Sequence, residues 1–172
     1  SGQGIEDFAA SVGVAAIMIV LGIDPGLAIM GFGVIDATGA KCKSIAYGVI
    51  ETPKTDDVPK RLYSLLGEVR ALIARHRPDA ASIEKIFFSR NSRTFVNVCQ
   101  ARGAAMIAFA ETDVPVFEYA PNEVKESVTG QGGAGKDQVQ FMVRKMLGIK
   151  DEIRPDDAAD ALAIAVTHAR NR

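Results

Sequence analysis

The segment from residue 57 to residue 78 limits the possible folds more than any other part of the chain. It carries apolar residues at helical spacing, namely Leu62, Leu65, Leu66, Val69, Leu72 and Ile73, and Pro78 ends the pattern. Short apolar runs of strand length lie on both sides of it, at 18–23 and 79–84. A helix that joins two strands of one sheet forms a crossover, so the second strand runs parallel to the first. We therefore expect the strand at 79–84 to be parallel to the strand at 18–23.

The remaining pattern predicts an α/β fold with one mixed sheet. Residues 29–51 contain two strands about the turn DATGAK, and their short links favour an antiparallel meander. A further strand is predicted at 114–119, and helices are predicted at 93–111, 121–129, 136–147 and 156–170. The expected architecture is a five-stranded mixed sheet, with a three-strand antiparallel meander plus two parallel strands, flanked by helices. No linker divides residues 18–172, which we predict to form a single domain.

The first 17 residues stand apart from this pattern. The chain begins with Ser, and its apolar run FAASVGVAAI follows two acidic residues rather than a basic segment, which argues against a secretory signal. We interpret residues 1–17 as a remnant of expression and Met18 as the natural start. Cys42 and Cys99 fall outside any CxxC spacing, so neither a disulfide framework nor a zinc site is predicted. Together with the absence of a membrane-spanning stretch from the remaining sequence, these features predict a cytoplasmic protein without a membrane partner.

Three aspartates fall within five positions at the start of the last predicted helix, in the sequence RPDDAADALAIA at 154–165. Asp156 suits a helix N-cap, and Asp157 suits the first turn, where a negative charge meets the positive end of the helix dipole. Asp160 lies one turn further in, among apolar residues, where neither explanation applies. Asp157 and Asp160 are three residues apart and are therefore expected on one face of the helix.

Two further acids are expected at one edge of the sheet. Asp24 follows the first strand and Glu84 ends the fourth, and open α/β sheets bind ligands at the carboxyl ends of their strands. Each acid also has a simpler explanation, because Asp24 precedes Pro-Gly and suits a turn, while Glu84 suits a solvated strand end. Docking of the last helix against this edge would gather four carboxylates, which repel one another unless a cation neutralises them.

The chemistry of these side chains favours a metal-dependent nuclease. An all-oxygen ligand set, with no nearby cysteine–histidine group, suits Mg²⁺, for which Mn²⁺ can substitute. Two such ions about 4 Å apart can activate a water molecule and stabilise the leaving oxygen in phosphodiester cleavage. The candidate catalytic residues and metal ligands are Asp24, Glu84, Asp157 and Asp160.

Several ordered blocks of the sequence resemble the RuvC family of Holliday-junction resolvases, which belongs to the RNase H-like superfamily. The blocks are VLGIDPGLAIMGFGVI, IEKIFFSRN, QARG, VPVFEYAPNEVKESVTGQGGAGKDQVQ and DDAADALAIAVTHA, and they extend over residues 18–170. The resemblance implies a homodimeric, Mg²⁺-dependent endonuclease of recombination and repair that nicks four-way DNA junctions symmetrically. It implies 5′-phosphate and 3′-hydroxyl ends, and a branch-migration motor of the RuvA and RuvB type as a partner. The family's four acids fall on Asp24, Glu84, Asp157 and Asp160.

The resemblance also implies DNA contacts. Phe87 matches an aromatic position of the family and would stack on an unpaired base at the junction centre, whereas Phe88 is expected to be packed. Lys125 and Lys136 match basic positions that contact DNA in the family. Glu118 matches the family as well and is interpreted as structural rather than as a metal ligand.

A stretch without acidic residues, from Lys85 to Ala110, supplies three further candidates for contacts to the DNA backbone, Arg90, Asn91 and Arg93. The alternative is that this stretch is only a solvated face. The formal net charge of −1 gives no independent indication of a nucleic-acid partner. The long apolar helix at 93–111 is a candidate dimer interface.

Three other functions compete with junction cleavage. GIDPGLAIMG resembles the first phosphate loop of actin-like kinases and ATPases, but those proteins need two such domains. GQGGAGKD at 130–137 is one residue short of a P-loop, because Asp replaces the Ser or Thr that would bind Mg²⁺. The remaining alternatives are a non-catalytic junction-binding scaffold and a related nuclease that acts on RNA or on linear DNA.

Overall fold

One five-stranded mixed sheet organises the protein. The computed structural model describes residues 16–88 and 90–172. Residues 1–15 lie outside the described residues, so the interpretation of residues 1–17 as a remnant stays a prediction. The strands are β1 (Ile19–Asp24), β2 (Ile29–Asp36), β3 (Lys43–Glu51), β4 (Ala80–Glu84) and β5 (Val116–Tyr119). Their spatial order is β3-β2-β1-β4-β5.

The directions of the strands confirm the predicted architecture. β1, β2 and β3 form the antiparallel meander, and β4 is parallel both to β1 and to β5. The described helices are α1 (Val58–His76), α2 (Ser92–Glu111), α3 (Pro121–Thr129), α4 (Lys136–Leu147) and α5 (Asp156–Asn171). Each predicted helix is therefore present, with ends that differ from the prediction by at most two residues. Within the described residues, every helix is too short or too polar to cross a lipid bilayer.

The helix α1 has defined signals at both ends. The Asp57 carboxylate accepts a hydrogen bond from the Lys60 backbone N–H at 3.0 Å, which satisfies one of the free donors of the first turn. At the other end, Arg77 takes the left-handed conformation, with φ of 46°, and donates its N–H to the Ile73 carbonyl. Because Pro78 follows directly, the chain leaves the helix and enters β4.

The two faces of the sheet carry separate hydrophobic cores. On one face, α1 and α2 bury residues such as Leu65, Val69 and Phe109 against the strands. On the other face, α5 buries Leu162 against Val20 and other strand residues, and α3 and α4 pack around it. The last helix is therefore fixed by contacts on several sides, and its N-terminus is held at one edge of the sheet.

One local prediction at that N-terminus was wrong. The N-cap position of α5 is Pro155, and Asp156 is the first residue of the helix. The Asp156 carboxylate instead lies 3.6 Å from Lys136 Nζ and 3.3 Å from Arg154 Nη1. Asp156 is therefore paired with cations rather than bonded to the backbone as a cap.

Candidate active site

Four carboxylates meet at the edge of the sheet where β1 and β4 end. Asp24 is the last residue of β1 and Glu84 is the last residue of β4. These strands are parallel neighbours in which Ile23 pairs with Ile83, so the two acids that follow lie side by side. Asp157 and Asp160 approach from the first turns of α5, and all four side chains are half-buried. The predicted acids are thus brought to one place by three elements that are far apart in the sequence.

Glycines in the sheet let α5 approach closely. A Cβ atom added at Gly31 would lie 2.0 Å from the Asp157 carbonyl oxygen, and one added at Gly22 would lie 2.2 Å from the Ala161 carbonyl oxygen. Because both distances are far below van der Waals contact, no larger residue fits at either position without displacing the helix. The buried Ser82 hydroxyl adds a hydrogen bond to the Ile164 carbonyl at 3.1 Å. The spacing of the carboxylates therefore depends on main-chain contact between the sheet and α5.

Burial and mutual repulsion raise the pKa values of three of these acids. The pKa of Asp24 rises from 3.8 to about 8, first because burial disfavours its charged form and then because Asp160, Glu84 and Asp157 repel it. Burial followed by the charge of Asp160 raises the pKa of Glu84. Burial also raises the pKa of Asp160, although Lys136 opposes this shift. Burial therefore disfavours the charged forms of these acids first, and repulsion between them adds to this, as is common at functional sites.

Lys136 supplies the main counter-charge at this edge. It is the first residue of α4, and its Nζ lies 3.5 Å from Asp160 Oδ2 and 3.6 Å from Asp156 Oδ2. Lys125, on α3, is close enough to lower the pKa of Glu84 by its charge. The two predicted DNA-binding lysines are therefore beside the acids, at the place where a phosphate group would approach.

The donor chemistry of the four acids fits a divalent cation. Their ligand atoms are all carboxylate oxygens, which hard cations such as Mg²⁺ and Mn²⁺ prefer. A bound cation would also relieve the repulsion that raises the pKa of Asp24. Within residues 16–88 and 90–172, however, no three His, Cys, Asp or Glu side chains converge closely enough to hold an ion as they stand. The acids are therefore electrostatically coupled without forming a closed cage, and ion binding would draw their side chains together.

The loop after β4 carries two exposed aromatic residues. Phe87 is 61 % exposed, as expected for a residue that meets DNA. The prediction that Phe88 is packed was wrong, because its side chain is 83 % exposed, although its ring centroid lies 5.6 Å from that of Phe95 in the first turn of α2. The start of α2 therefore lies beside both aromatic residues and leaves most of their surface exposed.

The other candidates for DNA contacts have mixed positions. Arg90, which precedes α2, and Arg93, in its first turn, are both exposed. Asn91 is the N-cap of this helix, and its side chain accepts a hydrogen bond from the Thr94 backbone N–H at 3.3 Å. Asn91 therefore has a structural role whether or not it contacts DNA.

Sequence reasoning did not identify several residues that shape the site. Asp156 joins the acidic cluster through Lys136, and Ser82 links β4 to α5. Glu118 forms an ion pair with Arg102 at 2.8 Å, which connects β5 to α2 and agrees with a structural role for Glu118. The sequence signals of these contacts are a third aspartate at the start of the helix and a polar residue inside an apolar strand.

Comparison with known proteins gives a consistent result. The model of the family described as "Crossover junction endodeoxyribonuclease RuvC" matches residues 20–168. Proteins of that description from Syntrophomonas wolfei and Chloroflexus aggregans are 48% and 49% identical to this chain over 151 and 152 residues. The matches cover 88% of this chain in both cases, and 88% and 93% of the two relatives.

Solved structures show the same likeness. The chain is similar to Thermus thermophilus RuvC in complex with a Holliday junction substrate, with a TM-score of 0.85 and 40% identity. That match covers 89% of this chain and 93% of the other. A yeast mitochondrial Holliday junction resolvase, Ydc2, has a TM-score of 0.68 at 16% identity, which shows the shared fold.

Proposed function

The chain belongs to the RuvC family of crossover junction endodeoxyribonucleases, and we propose on this basis that it resolves four-way DNA junctions by metal-dependent hydrolysis of phosphodiester bonds. The observation that carries the proposal is the meeting of four half-buried carboxylates at one sheet edge, with two lysines beside them. The cuts are symmetric, leave 5′-phosphate and 3′-hydroxyl ends, and serve homologous recombination and DNA repair.

We assign the metal-binding role to Asp24, Glu84, Asp157 and Asp160. Their ionised oxygens would hold Mg²⁺, with two ions in each site and Mn²⁺ as a substitute. When bound, such ions lower the pKa of an attacking water and offset the charge on the leaving 3′ oxygen. Because the described part of the chain places no histidine beside these acids, a histidine base has no part in the proposal.

The cations and aromatic residues of the site would hold the DNA. Lys125 and Lys136 are positioned to bind phosphates next to the acids, and Lys136 would exchange its contacts with Asp156 and Asp160 for a phosphate. Phe87 would stack on an unpaired base at the junction centre. Arg90, Asn91 and Arg93, which are exposed around the start of α2, would contact the DNA backbone.

Two symmetric nicks require two sites related by a two-fold axis, so we propose a homodimer. The helix α2 is the candidate interface, because Val96 and Ile107 are apolar and half-exposed on it. We propose further that a branch-migration motor of the RuvA and RuvB type delivers the junction.

A cleavage assay tests the proposed function. A synthetic four-way junction and a linear duplex of matching sequence are incubated with the protein in Mg²⁺ or in EDTA and resolved on a denaturing gel. We expect paired nicks in the junction alone, only with Mg²⁺. The variant Asp160→Asn should bind the junction without cutting it, whereas the control Asp137→Asn, which changes an exposed acid on α4, should cut normally.

The other functions predict different results. Binding without nicks under all conditions would point to a junction-binding scaffold. Cleavage of the linear duplex, or of RNA in the same design, would point to a nuclease without junction selectivity. Normal cleavage by Asp160→Asn would remove this residue from the mechanism.

A further inference from the structure

Glu84 lines two cavities, one together with Asp24 and the other together with Asp160. The first has a volume of about 250 Å³ and is lined by Asp24 and Phe87, among others. The second has a volume of about 240 Å³ and lies between α3, α4 and α5, and we call it the α3–α5 cavity. Glu84 therefore belongs to the lining of both cavities, whereas Phe87, which is expected to stack on DNA, lines only the first.

The lining of the α3–α5 cavity is divided into a charged rim and an apolar floor. The rim consists of Glu84, Asp160, Lys125 and Lys136. The floor includes Val124, Val139, Ala163 and Ile164, of which Val139 is half-buried and the others are buried. Among the described residues, the lining includes no hydroxyl or amide side chain. A ligand that matches it has an anionic group for the lysines and an uncharged body for the floor.

We propose that the α3–α5 cavity binds the nucleobase of a nucleotide that adjoins the scissile phosphate. This inference rests on the proposed nuclease function, which places a phosphate over the acids. A free phosphate would occupy only the rim and leave the floor uncovered. A nucleotide satisfies both parts, because Lys125 and Lys136 hold its phosphate while its base lies against the aliphatic side chains.

The position of Glu84 explains why the bases on either side of the cut would be treated differently. A strand that crosses the acids has one neighbouring nucleotide towards Phe87 and another towards the α3–α5 cavity. A base can enter a cavity only when it is unpaired and unstacked, which costs least at the centre of a junction. The substrate therefore supplies the free base that this cavity needs.

The aliphatic floor has a consequence for selectivity. Because the side chains of the floor are aliphatic, the floor distinguishes bases by size and shape. One methylene group in a hydrophobic pocket changes selectivity by about tenfold or more. We expect the rate of cleavage to depend on the identity of this base, and the dependence to originate in residues such as Val139.

The first experiment measures occupancy in the wild-type protein. Nick sites are mapped on a synthetic junction, and 2-aminopurine is then placed at each nucleotide that adjoins the nick. Binding is measured in EDTA, which prevents cleavage, and is verified by gel shift. The emission of 2-aminopurine should rise at one of the two positions, because the base leaves the stack for a cavity without aromatic walls. Binding with no rise at either position overturns the inference.

The second experiment fills the cavity. Val139→Phe should abolish the rise in emission and reduce the spread of cleavage rates among junctions that differ only at this base, by about tenfold. Met142→Phe is the matched control, since Met142 is on the same helix but lines a different cavity, of about 390 Å³, that contains none of the four acids. If Val139→Phe melts far below the wild type, Val139→Leu replaces it. A filled variant with unchanged emission and unchanged base preference overturns the inference.

The two proposals fail in different ways. If the wild type shows no metal-dependent cleavage of the junction, the proposed function is wrong and the inference falls with it. If the wild type cuts normally but the base is never released from its stack, only the inference is wrong.

Discussion

Replacing Asp24 by Asn tests the electrostatics of the site directly. In the protein without metal, burial and then repulsion by Asp160, Glu84 and Asp157 raise the pKa of Asp24 from 3.8 to about 8. The folded state therefore binds this proton more tightly than the unfolded state does. This proton's favourable contribution to the free energy of unfolding is present at low pH and is lost as the pH rises towards 8. Above pH 8 the contribution no longer changes.

The size of the effect follows from the two pKa values, 3.8 when unfolded and about 8 when folded. Each pH unit between them changes the free energy of unfolding by ~1.36 kcal/mol, so raising the pH from 5 to 8 removes at most ~4 kcal/mol. Solvent screening at a half-buried carboxyl reduces this value, and we expect a loss of ~2 kcal/mol. Asp24→Asn removes the charge at nearly constant shape and should abolish this loss.

The assay is thermal unfolding in EDTA between pH 5 and pH 9, for the wild type and for Asp24→Asn. At pH 8 the variant should melt ~4–8 °C above the wild type, and the difference should shrink steadily as the pH falls to 5. Comparing the two proteins cancels other titrations, such as that of His168, whose pKa is lowered by burial. Mg²⁺ should raise the melting temperature of the wild type more than that of the variant. Equal melting curves at pH 8 in EDTA would refute the proposed repulsion.

Three further predictions concern the surroundings of the acids. Gly31→Ala should lower the free energy of unfolding by ~2 kcal/mol, because its Cβ would lie 2.0 Å from the Asp157 carbonyl oxygen. The control Gly67→Ala in α1, where a Cβ would have no atom within 4 Å, should raise the free energy of unfolding by ~1 kcal/mol. Equal denaturation midpoints for the two variants would contradict the close packing of α5. Ser82→Ala should cost ~1 kcal/mol in the same measurement, through loss of the hydrogen bond to the Ile164 carbonyl, and a neutral result would show that this bond does not hold α5. Lys136→Met should reduce the slope of log affinity against log salt for junction binding by about one, measured by fluorescence anisotropy, and an unchanged slope would exclude a phosphate contact.

The architecture and the place of the site were predictable from local patterns. The apolar spacing in α1 defined a crossover, and the crossover made β4 parallel to β1. Because these parallel strands are neighbours, Asp24 and Glu84, at their carboxyl ends, lie at the same edge of the sheet. The spacing of Asp157 and Asp160 placed both acids on one face of a helix. The docking of that helix against the sheet edge was the one part of the site's assembly that local sequence did not determine.

Other features depend on tertiary contacts that no local pattern contains. Phe87 and Phe88 are consecutive and chemically identical, and their exposure depends on whether a helix covers the loop. Lys136 meets Asp156 and Asp160 because α4 and α5 begin near each other, which their separation along the chain does not indicate. The closeness of α5 to the sheet depends on glycines in β1 and β2, whose role appears only when the helix lies across them.

The division of the four acids among β1, β4 and α5 has a consequence for the newly made protein. A chain emerges from the ribosome N-terminus first, so Asp24 and Glu84 are synthesised well before Asp157 and Asp160. Asp157 and Asp160, two of the four proposed metal ligands, arrive on α5, and its docking also completes one of the two hydrophobic cores. An unfinished chain therefore lacks both a closed fold and a complete set of acids. On the proposed assignment, the acids needed to cut DNA therefore come together only after α5 has been made and has docked.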